Sequence, residues 1–143
     1  MLAARELSTV EWARGLTTMR RVMTANSDAR ILLGGPVEGY RGAMPGIAEE
    51  ASLAIAKQQP TMLLGGFGGC TRDIAETMQL IDRRVVSRSD RWKGRRRFSK
   101  LGIGALRNGL SDEDTARLVR TVHVDEMVAL ILRGLGGIFG PAG

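Results

Sequence analysis

The sequence has few of the residues on which metal sites, disulfides and membrane anchors depend. Its 143 residues include one cysteine, Cys70, and one histidine, His123. A lone cysteine cannot form an internal disulfide, which is typical of a cytoplasmic protein, and one Cys with one His is too little for a usual zinc site. Residues 1–15 lack the apolar core of a signal peptide, and no apolar run approaches the roughly 20 residues of a membrane-spanning helix. We therefore predict a cytoplasmic protein with no metal and no membrane contact.

Basic residues are concentrated in one segment. Residues 82–100 hold nine of the 21 lysines and arginines but only two of the 15 acidic residues, while the whole chain has a net charge of +6. The rest of the chain is therefore close to neutral. This segment has no clean period, which favours a solvated, partly disordered surface loop. The alternative is a nucleic-acid contact through residues 83–100, although only Trp92 and Phe98 are available there for base stacking.

Hydrophobic periodicity and capping residues predict five helices and two short strands. Ser8 and Glu11 form a capping box at the start of the first helix, and Ser111 is a typical N-cap for the fourth. We expect Trp12 and the methionines in the core. The predicted helices cover residues 8–25, 46–57, 70–84, 111–120 and 124–134, and the strands cover residues 31–33 and 61–64.

This order of elements predicts an α/β fold, a Rossmann-like doubly wound parallel sheet with a helical C-terminal part. We expect one domain over residues 1–135, with a helix stop at Gly134 and a flexible tail at 136–143. Two strands make a poor sheet on their own. One explanation is that the hydrophobic pattern does not reveal further strands. A second is that the domain is shortened and the sheet is incomplete in this chain. A third is that the strands pair with another subunit in a homo-oligomer.

Both predicted strands run into glycines and then into a helix. The first glycine exit, residues 34–46, contains five glycines and two prolines, and the second, residues 65–72, contains four glycines. Glycines after a strand let backbone N–H groups approach a phosphate, and the helix N-terminus adds partial positive charge. The pattern matches neither G-x-G-x-x-G nor the P-loop. It favours one nucleotide pocket lined by both exits; the alternative is two turns without a ligand.

The two exits together resemble a known family. Leu64-Gly65-Gly66-Phe67-Gly68-Gly69-Cys70-Thr71-Arg72 resembles the P-G-G-x-G-T-x-x-E motif of LOG-like proteins, and the first exit resembles their G-G-G…G-L-M-G-x-V-A element with one residue inserted. The wider group is the SLOG superfamily, which includes DprA-like proteins and the nucleotide-sensing SLOG domains attached to TIR and sirtuin effectors in bacterial conflict systems. From about Leu16 to Leu135 the chain resembles those sensor domains most.

Two positions at which the chain departs from the LOG motif bear on which function it has: nucleotide binding, nucleotide hydrolysis or DNA binding. LOG enzymes are nucleotide phosphoribohydrolases whose motif glutamate takes part in binding and hydrolysis, but this chain has Arg72 there and Gly69 in place of the motif threonine. An arginine cannot replace a carboxylate in N-glycosidic cleavage, whereas it can bind a phosphate. The resemblance therefore implies binding or sensing of an ADP-ribose-type nucleotide. A phosphoribohydrolase acting on nucleoside 5′-monophosphates is the alternative, and a DNA-binding DprA-like protein is a second one.

Several predicted site residues have a structural alternative. Arg41 contacts a ligand phosphate or is a solvated loop residue, and Glu49 and Glu50 bind ribose hydroxyls or complement the helix dipole. Thr71 is an N-cap as much as a ligand contact, and Cys70 at a helix N-terminus is a reactive thiol only if a base lies nearby. We predict no catalytic residue.

The resemblance implies no cofactor beyond a nucleotide ligand. It implies as partners a nucleotide-type small molecule and a fused or associated effector. Because the family's first strand has no counterpart before Arg30, we expect the pocket in this chain to be partial. The candidate nucleotide-binding residues are Gly34, Gly35, Arg41, Gly42, Met44 and Gly46 in the first exit, Glu49 and Glu50 in the helix that follows it, and Gly65, Gly66, Phe67, Gly68, Gly69, Cys70, Thr71 and Arg72 in the second exit.

Overall fold

The computed structural model describes residues 6–82 and 92–141. They form a mixed α/β structure that is mostly helical. In chain order the elements are α1 (Thr9–Ala25), β1 (Arg30–Leu33), α2 (Gly46–Ala56), β2 (Thr61–Leu64), α3 (Gly69–Thr77), α4 (Asp112–Arg120) and α5 (Val124–Phe139), with short 3₁₀ turns at Gly65–Phe67, Arg95–Lys100 and Ile103–Leu106.

The predicted helix starts agree with the structure. Ser8 accepts a hydrogen bond from the Glu11 N–H while the Glu11 carboxylate accepts one from the Ser8 N–H, which confirms the capping box. Ser111 caps α4 by accepting from the Asp114 N–H at 3.1 Å. These caps satisfy N–H groups that the first turn of a helix leaves without a partner.

The sheet within the described residues consists of β1 and β2, paired in parallel with Leu32 beside Leu63 and Ile31 beside Met62. Leu32 and Leu63 point to one face and pack with residues of α2 and α3 in the larger core cluster. Met62 and Leu64 point to the other face and pack with residues of α4 and α5. Helices thus lie on both faces of a small parallel sheet, but a complete doubly wound sheet is not confirmed.

The two strands differ in how far they are covered. Every residue of β2 is buried, whereas Ile31 and Leu33 of β1 remain 44% and 51% exposed. These two residues share a face with Met62 and Leu64, because register partners in a sheet point the same way. The helices on that face therefore cover β2 and leave half of β1 uncovered.

The prediction for the end of α3 is wrong, because the helix stops at Thr77 and not at residue 84. Gln79 adopts a left-handed conformation with φ 61°, and its N–H bonds the Glu76 carbonyl while the Leu80 N–H bonds the Ala75 carbonyl. This pair of bonds is a Schellman motif, which usually has glycine at the left-handed position. A glutamine there gives no stop signal in the sequence.

The predicted stop at Gly134 is also wrong, since α5 continues to Phe139 and includes part of the predicted flexible tail. A Cβ on Gly134 would lie 2.4 Å from the Asn108 carbonyl oxygen and 2.6 Å from the Met62 methyl carbon. Gly134 therefore serves a close helix contact and not a C-terminal cap.

The basic segment contains part of the core. Trp92 is 6% and Phe98 0% exposed, and their rings meet edge to face with centroids 6.2 Å apart. The interpretation as a solvated loop is therefore wrong for Trp92, Arg95 and Phe98, although Lys93, Arg96, Arg97, Ser99 and Lys100 are exposed. Trp92 and Phe98 are not open to stacking with bases. Residues 83–91 of the segment lie outside the described residues.

The expected core positions are confirmed in part. Four methionines, Met44, Met62, Met78 and Met127, are buried. On α1, however, Trp12 is 39%, Met19 47% and Met23 42% exposed, because polar residues of that helix face α2 instead. None of the helices in the described ranges has the length and apolarity needed to cross a lipid bilayer.

Replacing Phe98 with alanine tests the buried part of the basic segment. We expect Phe98→Ala to lower the free energy of unfolding by about 3–5 kcal/mol, because it removes a fully buried aromatic side chain and leaves a cavity. The matched control, Phe139→Ala, removes a ring that is 56% exposed and should cost far less. Urea unfolding measures both, and equal losses would contradict the buried position of Phe98.

Candidate functional site

The two glycine exits are hydrogen-bonded to each other. The N–H groups of Cys70 and Thr71 donate to the carbonyl oxygens of Gly35 and Gly34 at 2.8 and 2.9 Å, and the Thr71 hydroxyl also donates to Gly34 at 3.0 Å. The start of α3 is therefore tied to the end of β1. The two exits therefore lie side by side at the carboxyl ends of the paired strands.

Gly69 makes this close approach possible. Its φ is +70°, and a Cβ there would lie 2.7 Å from both the Gly34 carbonyl carbon and the Gly35 carbonyl oxygen. Only glycine fits a position that is left-handed and also in contact with another backbone. The glycine that replaces the threonine of the LOG motif thus has a structural role here.

The exits offer an open surface in some places and close packing in others. The Cys70 and Thr71 N–H groups already bond the first exit, so they do not point to a ligand. A Cβ on Gly66 would lie 2.1 Å from the Thr121 carbonyl oxygen, and a Cβ on Gly65 would lie 2.7 Å from the Val119 carbonyl oxygen. The absence of a side chain at both positions therefore lets the end of α4 pack against the second exit. Gly34 and Gly68, in contrast, face open space.

Glu49 holds α2 against α1. Its carboxylate forms an ion pair with Arg20 at 2.9 Å and accepts a hydrogen bond from the Thr17 hydroxyl at 2.9 Å. The pair is buried, with side chains only 11% and 8% exposed. Gly42 and Gly46 leave room for the Arg20 guanidinium, because a Cβ on either would lie within 3 Å of its nitrogens.

The remaining predicted residues of the exits lie in different surroundings. Met44 is buried in the larger core cluster, and Glu50 is half-buried on α2. Phe67 is 53% exposed beside Gly68. Arg41 is exposed and lies over the Trp12 ring, with its guanidinium carbon 4.9 Å from the ring centroid.

Arg72 belongs to a network of ion pairs on α3. Its Nε donates to Glu76 at 2.9 Å, and Glu76 also lies 3.8 Å from the guanidinium of Arg95. Arg95 is itself buried and donates to the Thr77 hydroxyl at 2.7 Å. Asp73 accepts from the Trp92 indole N–H at 3.0 Å. The Glu76 carboxylate is thus paired with two arginines, and the Asp73 carboxylate is bonded to the Trp92 indole.

Two cavities border the site region. One of about 970 Å³ lies along the second half of α3 and includes Glu76, Thr77 and Arg95 in its lining. The other, about 670 Å³, lies between the start of α1 and the first exit and includes Trp12, Tyr40 and Arg41. Of the predicted site residues, only Arg41 lines one of them.

The structure explains why Cys70 is not a reactive thiol. The residue is fully buried, and burial together with the nearby Asp73 carboxylate raises the pKa of its thiol from 9.0 to about 12. The thiolate, which is the nucleophile, is therefore disfavoured. The helix N-terminus that suggested a low pKa is covered by the first exit.

The sequence interpretation missed several residues of this region. Arg20 and Thr17 fix Glu49, while Trp12 and Tyr40 line the smaller cavity. The available signal was Arg20 itself, a cation among the apolar positions of the first helix, which often indicates a buried partner. The exposure of Trp12 has no signal in the sequence.

The fold and the joined exits define an α/β protein whose glycine-rich strand ends form one surface. The model for the family described as SLOG cluster2 matches residues 3–123. The chain belongs to the SLOG superfamily, which indicates a nucleotide-related function in general. No curated protein and no solved structure matches the chain.

Substitution of Gly69 tests the contact between the exits. We expect Gly69→Ala to destabilise the fold by about 2 kcal/mol or more, because the new Cβ is strained at φ +70° and overlaps the backbone of the first exit. Gly136→Ala is the control, since a Cβ on this α5 residue meets nothing within 4 Å and should stabilise the helix by about 0.5–1 kcal/mol. A tolerated Gly69→Ala, measured by thermal unfolding, contradicts the contact.

The Cys70 thiol should stay protonated and inert while the protein is folded. Its pKa is higher in the folded state, so its contribution to stability is complete below about pH 9 and is lost as pH rises towards 12. From pH 8 to pH 10 the wild type should lose about 1 kcal/mol relative to Cys70→Ala. Urea unfolding at both values measures this difference. A constant difference, or rapid thiol labelling of the folded protein at pH 8, contradicts the burial.

Proposed function

We propose that the protein binds a nucleotide-derived signal of the ADP-ribose type through its two glycine exits. The observation that carries this proposal is the junction of the exits at one edge of the sheet. A Cβ on Gly34 or Gly68 would meet nothing within 4 Å, which leaves room for a ligand beside the junction. Membership in a nucleotide-related superfamily supports the same class of ligand.

Binding is favoured over hydrolysis by the charges around the second exit. Arg72 stands where LOG enzymes have a glutamate, and its Nε is held by Glu76 on the same helix. A guanidinium fixed in this way suits a phosphate or carboxylate group. Glu49, the nearest buried carboxylate of the first exit, is paired with Arg20 and bonded to Thr17. Neither position supplies a carboxylate without a partner for cleavage of an N-glycosidic bond.

In this proposal the bound nucleotide acts as a signal for a partner or for a fused effector in a bacterial conflict or signalling system. A partner subunit of the same chain fits the half-uncovered face of β1, where Ile31 and Leu33 remain exposed. Because the partner is not identified, the first test concerns the ligand alone.

A thermal-shift screen tests the ligand class. AMP, ADP-ribose, NAD and cyclic ADP-ribose isomers are compared, and we expect selective stabilisation by an ADP-ribose-type compound. A ligand at 100 times its Kd stabilises the folded state by about 2.7 kcal/mol. Absence of a shift and of calorimetric heat with all four compounds overturns the proposal.

A pair of arginine variants then tests the site. Arg72→Gln should weaken binding of the selected nucleotide about tenfold or more, because it removes the cation beside the second exit. Arg133→Gln is the matched control, since Arg133 also pairs with a carboxylate, Asp114, but lies on α5. Equal affinity of both variants contradicts a role for Arg72.

Incubation with AMP separates binding from hydrolysis. The proposal predicts that AMP is recovered intact, as measured by chromatography for free adenine. Release of adenine by the wild type, abolished in Glu50→Gln, would instead show that the protein is a phosphoribohydrolase.

A further inference from the structure

An aromatic and cationic wall borders the smaller cavity. The cavity of about 670 Å³ is lined by Trp12, Tyr40 and Arg41 together with Glu6, Leu7 and Thr9. Aromatic residues make up only 4% of the chain, yet two of them meet here. We name this space the Trp12 cavity.

Trp12 presents its ring to this cavity instead of to the core. Its side chain is 39% exposed, and the Arg41 guanidinium carbon lies 4.9 Å from the ring centroid. The guanidinium is attracted to the ring electrostatically, which places a positive charge next to a flat apolar surface. That combination fits a ligand with an aromatic ring and a negative group.

Tyr40 fixes the loop that carries this arginine. Its ring packs against the larger core cluster, and its hydroxyl oxygen accepts a hydrogen bond from the Lys93 N–H at 3.4 Å. The segment around Arg41 is thus anchored on one side by Tyr40 and on the other by its contact with Trp12.

The first glycine exit leads along α1 to the Trp12 cavity, to whose lining it contributes Tyr40 and Arg41. A Cβ on Gly46 or Gly42 would meet Arg20, one on Gly42 would also lie 3.8 Å from Leu16, and the next residue in the loop, Arg41, reaches Trp12. The loop therefore runs along α1 towards its N-terminus. The chain itself thus links the exit glycines to the aromatic wall through Arg41.

We propose that the Trp12 cavity binds the base of the nucleotide by stacking on Trp12, with Arg41 beside it on the phosphate side. This inference rests on the proposed nucleotide-binding function and adds where the base lies. The cavity volume is in the range of small-ligand pockets. Stacking of a base on an exposed aromatic side chain is tolerant of base identity, so selectivity for the signal arises at the glycine exits.

Two ligands and three variants test this inference. ADP-ribose contains the base and ribose 5-phosphate lacks it, and calorimetry measures the affinity of each. Trp12→Ala should raise the Kd for ADP-ribose about tenfold and leave that for ribose 5-phosphate unchanged. Trp12→Phe should retain most of the affinity, because a smaller ring still stacks. Val22→Ala, at a 57% exposed position of the same helix, is the control and should bind as the wild type does.

Tryptophan fluorescence gives an independent readout. ADP-ribose should quench the emission of the wild type, and the quench should disappear in Trp12→Phe, since Trp92 is buried in the core. If ADP-ribose binds but Trp12→Ala has wild-type affinity and no quench occurs, this inference is wrong while the proposed function stands. If the wild type binds none of AMP, ADP-ribose, NAD and the cyclic ADP-ribose isomers, both fail. A Trp12→Ala variant that loses ribose 5-phosphate equally overturns base stacking in favour of a general structural effect.

Discussion

The contact between the two glycine exits is the constraint on which the rest of the structure depends. Two N–H groups and one hydroxyl of α3 bond the carbonyls that follow β1, and Gly69 lets the two backbones approach. This contact sets the position of α3 on the sheet, and with it the ion-pair network that includes Arg72 and Glu76. The same contact buries Cys70, so one arrangement explains both the geometry of the edge and the inert thiol.

Charge is distributed so that the buried acids are neutralised and the exposed cations remain beside the exits. Glu49 pairs with Arg20, and Glu76 with Arg72 and Arg95, although burial of such pairs adds little net stability. Their effect is to orient helices and side chains. Arg41, by contrast, rests on an exposed ring at the mouth of a cavity. The described residues thus include buried cations that pair with carboxylates and one accessible cation, Arg41, beside a cavity.

The helix starts and both strands were predictable, because their signals are local. Ser8 with Glu11 and Ser111 cap helices through bonds to residues three positions away. The ends of helices were harder, since Gln79 closes α3 with a left-handed turn that glycine usually makes, and Gly134 lies inside α5 where a glycine usually ends a helix. The bonds that close α3 go to Ala75 and Glu76 on the same helix, although glutamine is not a residue type that predicts such a turn. Gly134, in contrast, serves a close contact with the distant residues Asn108 and Met62.

By itself the sequence determined the class of fold, the two glycine exits and the superfamily, because these depend on local periodicity and on a motif read along the chain. Only the tertiary structure decided which glycines face open space and which lie against a neighbouring backbone. Gly66 and Gly68 look alike in the sequence, yet one meets the Thr121 carbonyl and the other open space. Likewise Trp12 and Trp92 differ in exposure because residues far along the chain cover one and not the other. Burial depends on long-range packing, which no local pattern encodes.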